Sequence, residues 1–165
     1  MPKNLIILLL LFSFMWVGCY SFHGGSPPEG VKTIAVPTVA DASGFGNATI
    51  SQQCTTQLIQ KFIRDNSLQV VDKTSADAVL SATIASIVNK TVAVGSDQRS
   101  TMQEVDVTIK ASLENLRKHK TLWENTFTNS AQYDPTGDAA QRDNAIVQAI
   151  NHITDDIVLQ TVSEW

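Results

Sequence analysis

Residues 104–114 read Glu-Val-Asp-Val-Thr-Ile-Lys-Ala-Ser-Leu-Glu. Val105, Val107, Ile109, Ala111 and Leu113 alternate with Glu104, Asp106, Thr108, Lys110, Ser112 and Glu114. An unbroken period of two marks a β-strand with one face covered and the other in polar surroundings. Reading forward, Arg117-Lys118-His119-Lys120 is the turn of a hairpin. Leu122 to Tyr133 is its returning strand, with Trp123, Phe127 and Ala131 on one face. Reading back, Asp77 to Val88 is a strand with Leu80, Ala82 and Ile84 on one face, and Leu68 to Asp72 is a short β-branched strand. Lys32 to Val39 is the first strand, ended or held at an edge by Pro37, which has no N–H to donate. Lys90 to Arg99 is weakly patterned and is either a strand extension or a long hairpin tip.

Two segments carry the helical period instead. Ile50, Cys54, Leu58 and Phe62 recur every fourth residue, widened by Ile59 and Ile63, and Thr49 and Gln52 have capping-box spacing. Lys61 and Arg64 fall in the last turn, where cations favour the helix dipole, and Asn66 suits a left-handed close. Asp134-Pro135-Thr136-Gly137 is a turn. Asp138 then caps a second helix with a stripe of Ile146, Ile150, Ile153 and Ile157. Gly44-Phe45-Gly46 lies between strand and helix, but its spacing matches neither common glycine fingerprint, so it reads as a turn. Two helices with one apolar stripe each cover one face of one sheet. The fold expected is α+β, a two-layer sandwich with two helices packed on one face of a mixed four- to five-stranded sheet.

The first residues belong to something else. Lys3 supplies a positive start, and between Leu5 and Val17 only Ser13 is polar. That stretch is short of the roughly 20 residues a membrane-crossing helix needs, and it fits the apolar core of an export signal. It ends in Gly18-Cys19. Met15-Trp16-Val17-Gly18-Cys19 resembles a lipobox, with Trp16 in place of the usual Leu, so cleavage is expected before a lipidated Cys19. The expected organisation is a signal peptide at 1–18, a lipidated anchor and linker at 19–31, rich in Gly and Pro, and one domain at 32–165. Removing residues 1–18 takes away Lys3 and moves the formal charge from −4 to −5. Such a balance argues against nucleic acid as a partner. Cys54 is then the only other cysteine, which leaves no partner for a disulfide, and it reads as a small buried hydrophobe.

No catalytic constellation is present in the sequence. His23, His119 and His152 lie in a linker, a turn and a helix, without metal-ligand spacing. Asp155 and Asp156 are adjacent, so they point about 100° apart on a helix and read as a solvated face rather than a catalytic pair. The expectation is a binding or scaffold protein, not an enzyme, with no cofactor and no metal.

Gly18-Cys19-Tyr20-Ser21-Phe22 resembles the start of mature LptE lipoproteins. "KTIAVPTVADASG" (32–44), "LIQKFIRDNSLQVVDKTSADAVLSATI" (58–84) and "VDVTIKASLENLRKHKTLWENTF" (105–127) look like the LptE-related branch of Bacteroidetes and Chlorobi-like bacteria. The resemblance covers nearly all of residues 19–165. It implies two helices on a mixed sheet, a place as plug and assembly partner of the outer-membrane β-barrel LptD, lipopolysaccharide binding and transport, and no catalysis. Tyr20 after the cysteine is consistent with outer-membrane sorting, on the periplasmic side. "IAVPTVADASG" also resembles periplasmic domains of penicillin-binding-protein activators and curli-secretion lipoproteins, which implies an alternative partner, another envelope protein. If lipopolysaccharide is the ligand, its phosphates and carboxylates call for cations. Arg117, Lys118 and Lys120 form the one dense basic cluster and are the candidate contacts, with Lys90 and Arg99 behind them.

Lipidation gives the first prediction. Cys19→Ala should leave an uncut or soluble form on membrane fractionation; retention in the membrane at the mature mass would exclude Cys19 as the anchor.

Overall fold

In the computed structural model of the chain, the described residues are 27–94, 101–136 and 138–163. Residues 1–18, expected to be a signal peptide, and Cys19 and Arg99 lie outside them. The elements run β1 (Thr33–Ala35), β2 (Ala40–Asp41), α1 (Ala48–Asp65), β3 (Gln69–Val70), β4 (Ala78–Val94), β5 (Thr101–Asn115), β6 (Lys120–Tyr133) and α2 (Ala139–Ser163). The sheet order is β3-β1-β4-β5-β6, with β2 also paired to β4. β1 is parallel to β3 and β4, β2 is parallel to β4, and β4-β5-β6 is an antiparallel meander. The sheet is therefore mixed, as expected.

Six strands stand where four to five were expected, and Pro37 is the reason. The segment 32–39 does not run as one strand. β1 stops at Ala35, and β2 rejoins β4 further along, at Ala40↔Thr83 and Asp41↔Ile84. The weakly patterned segment after Val88 proves to be strand extension as far as Val94, pairing Lys90 with Glu104 and Thr91 with Gln103.

Both helices cover the same sheet face. On β5, Val105, Val107, Ile109 and Leu113 are all at 0% exposure. They meet Ile146, Ile150, Ile153 and Ile157 of α2 and Leu58 and Phe62 of α1 in one core. Trp123 and Phe127 share this face, paired with Leu113 and Ile109, and stand edge to face with ring centres 6.1 Å apart. They are only half-buried, because β6 is the outermost strand of the sheet on that side.

Local chemistry sets the helix ends. Asn47, not the Thr49 box, caps α1: its Oδ1 accepts the Thr49 N–H at 3.0 Å. Asn66 closes the helix in the left-handed region at φ 61° and donates its N–H to the Phe62 carbonyl. Asp138 caps α2 by accepting the Gln141 N–H at 3.2 Å. Lys61 does not serve the dipole at the helix end. It is buried and crosses to α2, donating to the Asn151 carbonyl and pairing with Asp155 at 2.6 Å. Gly44 and Gly46 both adopt positive φ, as a tight turn into the helix requires.

Burial orders the costs of truncation. Ile109→Ala should lose about 2–5 kcal/mol by cavity formation, and Phe127→Ala should lose less because it is already part-exposed. Lys110→Ala, on the opposite face, should stay within about 0.5 kcal/mol. Denaturant midpoints at neutral pH measure the series; equal losses at Ile109 and Lys110 would contradict the face assignment.

Candidate functional site

Two surfaces bear on the expected contacts: the uncovered sheet face and the basic turn. The uncovered face is rich in hydroxyls. Cross-strand register sets Ser81 beside Ser112, Ser86 beside Thr108, and Lys110 beside Thr126. Thr108 and Thr128 share a hydrogen bond at 3.1 Å, and Lys90 pairs with Asp106. That pair holds the Lys90 ammonium above its usual range, through the hydrogen bond first and the Asp106 charge second. The face is a polar plane on which the register sets Glu104, Asp106, Glu114 and Glu124 with Lys90 and Lys110, and it needs no apolar cover. Val88 is its one large exposed hydrophobe among the described residues, at 47%.

The turn is built by two buried side chains. Asn115, 3% exposed, accepts the N–H groups of Arg117 and Lys118 on Oδ1 at 3.0 and 2.9 Å. This folds the chain tightly enough that His119 takes φ 48°. Asp77, 4% exposed, lies beside it at the head of β4. Its Oδ2 accepts the N–H groups of Lys32 and Thr33 at 2.9 and 3.1 Å, and its backbone carbonyl accepts Leu116 N–H at 2.8 Å. The Arg117 Nε sits 2.5 Å from Asp77 Oδ1 as an ion pair, without hydrogen-bonding alignment. These donors, the Lys32 N–H above all, hold the Asp77 carboxyl below the ordinary carboxylate range against the opposing effect of burial.

All three candidate cations are exposed, and what separates them is pairing: Arg117, 74% exposed, keeps its Nε against Asp77, while no ion pair to Lys118 or Lys120 is present among the described residues. Lys90, the reserve candidate, lies on the uncovered sheet face some twelve residue pairs along β4–β5 from the turn. Asp77 carried no signal in the sequence beyond standing at a strand start, and its role depends on partners 44 and 45 residues away. Asp155 is exposed, as a solvated face requires, but it also answers the buried Lys61. The Cys54 thiol is fully buried, and burial pushes its pKa up to about 12, so it stays protonated and is no nucleophile. Among the described residues, no three His, Cys, Asp or Glu side chains gather as a metal site would need. None of the described helices is long and apolar enough to cross a membrane.

Solved structures share this architecture. Protein XCC0632 from Xanthomonas campestris superposes with a TM-score of 0.61 at 13% identity, over 84% of this chain and 90% of that one. Hypothetical protein CT253 from Chlamydia trachomatis gives 0.59 at 7% identity, over 79% and 95%. A minor lipoprotein from Acinetobacter baumannii gives 0.51 at 12% identity, over 82% and 96%. At these identities the likeness is one of fold: a mixed sheet with two helices on one face. No curated protein matches the sequence. The lipopolysaccharide-assembly family model, LptE, matches residues 31–161, and the chain belongs to that family.

The depressed Asp77 carboxyl has a measurable consequence. Its stabilisation is present above the unfolded-state carboxylate pKa of about 4 and is lost as the pH falls through the lower folded-state value. Asp77→Asn should therefore be less stable than the parent at pH 7, and the gap should narrow towards pH 3. Urea midpoints at both pH values would show it; a constant gap would contradict a charge-based role.

Proposed function

We propose that this family member is an outer-membrane lipoprotein, held by lipidated Cys19 on the periplasmic side. There it plugs an LptD-like β-barrel, helps that barrel assemble, and assists lipopolysaccharide transport without catalysing a reaction. The observation that carries the reading is the long, bare, hydroxyl-rich sheet face. A barrel lumen is polar, and barrels of more than twenty strands are wide enough to need a plug. β4 has 17 residues and β5 has 15. At about 3.3 Å per residue they reach about 50 Å, beyond the roughly 25 Å apolar band of such a barrel. A rigid meander of that length lines the lumen from end to end, and its hydroxyls exchange hydrogen bonds with wall side chains at little desolvation cost. In the same reading the acidic groups of lipopolysaccharide are met by the turn that carries Arg117, Lys118 and Lys120.

Mild detergent extraction and co-purification test the partner. A large outer-membrane barrel should come with the chain. Recovery of a peptidoglycan synthase or a secretion complex in its place would replace this reading with that of an envelope-protein activator.

A further inference from the structure

Ile34 pairs with Ala78, Ala78 with Asn115, and Asn115 with Lys120. These four residues stand abreast across β1, β4, β5 and β6. The start of the domain at Val31 and Lys32 and the basic turn at 116–119 therefore lie at the same end of the sheet. Asp77 joins them directly, with Oδ2 on the Lys32 and Thr33 N–H groups and Oδ1 against Arg117. Twelve residue steps lead from Cys19 to Val31, at most about 43 Å of extended chain. A chain anchored at Cys19 would thus hold this end within about 43 Å of its anchor.

The turn's cations are not equivalent. The Arg117 side chain is 74% exposed, but its Nε is committed to an ion pair with the buried Asp77 carboxylate. Lys118 and Lys120 are exposed and have no acidic partner in an ion pair among the described residues. Asn115 accepts the Lys118 N–H and stands opposite Lys120 in the β5–β6 register, so two point charges are presented from a defined turn.

We infer that the end of the domain formed by the tether root and the 116–119 turn is its phosphate-lipid-facing surface, where Lys118 and Lys120 make the contacts to lipopolysaccharide and Arg117, held by Asp77, only positions them. This rests on the reading that the turn meets lipopolysaccharide, and it divides the three cations of that reading into two contacts and one support. Contacts of this kind are ionic and exposed, so they weaken with added salt. A positioning residue changes affinity without changing how many charges the ligand meets.

The test measures binding of the full lipidated chain, in detergent, to purified lipopolysaccharide at low and at physiological salt. The variants are Lys118→Gln with Lys120→Gln, Arg117→Gln, Asp77→Asn, and Asp77→Asn with Arg117→Gln, each with a thermal melt. The double lysine variant should lose about tenfold or more in affinity together with most of the salt dependence, and it should melt like the parent. Arg117→Gln should bind more weakly, keep the parent's salt dependence, and melt lower. The Asp77/Arg117 double variant should be no worse than its weaker single parent, because the two act as one unit. Loss of salt dependence in Arg117→Gln equal to that of the lysine variant would make Arg117 a contact and overturn the division of roles. Unchanged binding in the lysine variant, with the melt intact, would remove the turn as the lipopolysaccharide site altogether. Phosphatidylglycerol micelles form the second arm: equal, lysine-dependent affinity for them would overturn lipopolysaccharide as the ligand and leave a generic headgroup contact.

Discussion

One constraint shapes the molecule: two helices must cover a sheet whose central strands run 17 and 15 residues, and both helices lie on the same side. The covered side takes Val105, Val107, Ile109, Ala111 and Leu113 of β5. The other side has no protein to bury against, so it carries Ser, Thr, Lys and Asp in cross-strand pairs. An isoleucine on that side would expose apolar area to water, and a lysine on the inner side would bury an unanswered charge. The alternation of one strand thus encodes the layer structure. The bare polar plane follows from it, and the proposed role in a barrel lumen rests on that plane.

The helices also have to be held to one another. α1 and α2 meet along a seam that is not wholly apolar. Lys61 of α1 is buried there and is answered by a carbonyl and a carboxylate of α2. Thr154 of α2, also buried, returns its hydroxyl to its own backbone and faces Gln57 of α1 at 3.4 Å. An apolar seam tolerates sliding by a turn, whereas a buried ammonium with one correct pair of acceptors does not. The seam gains register at some expense in desolvation.

Legibility in the sequence followed the range of the interactions. β5, β6 and both helices were evident because their signals are periodic and local: alternation in 104–114, and fourfold recurrence from Ile50 and from Ile146. The split of the first strand was half visible. Pro37 marked a break, but the pairing of Ala40–Asp41 with β4 is non-local. The cap at Asn47 was hidden behind the better-known spacing of Thr49 and Gln52. Lys61 looked like a helix-end cation because position in a helix says nothing about what packs against it. The basic turn was plain from composition, yet composition could not show that one of its cations is already engaged. That fact belongs to Asp77, whose partners at Lys32, Thr33 and Arg117 no pattern in the chain connects.

The same long separation sets an order of assembly. The β4-β5-β6 meander closes through contacts between neighbours in sequence, and such contacts form early. β1 pairs in parallel with β4 across more than forty residues, and the Asp77 clasp can close only after that pairing brings Lys32 alongside. The segment next to the proposed anchor is therefore made early and paired only once β4 has formed. For that interval it is an unpaired strand, with Ile34, Val36 and Val39 uncovered. Pro37, which keeps the segment from pairing as one continuous strand, shortens the stretch open to the wrong partner.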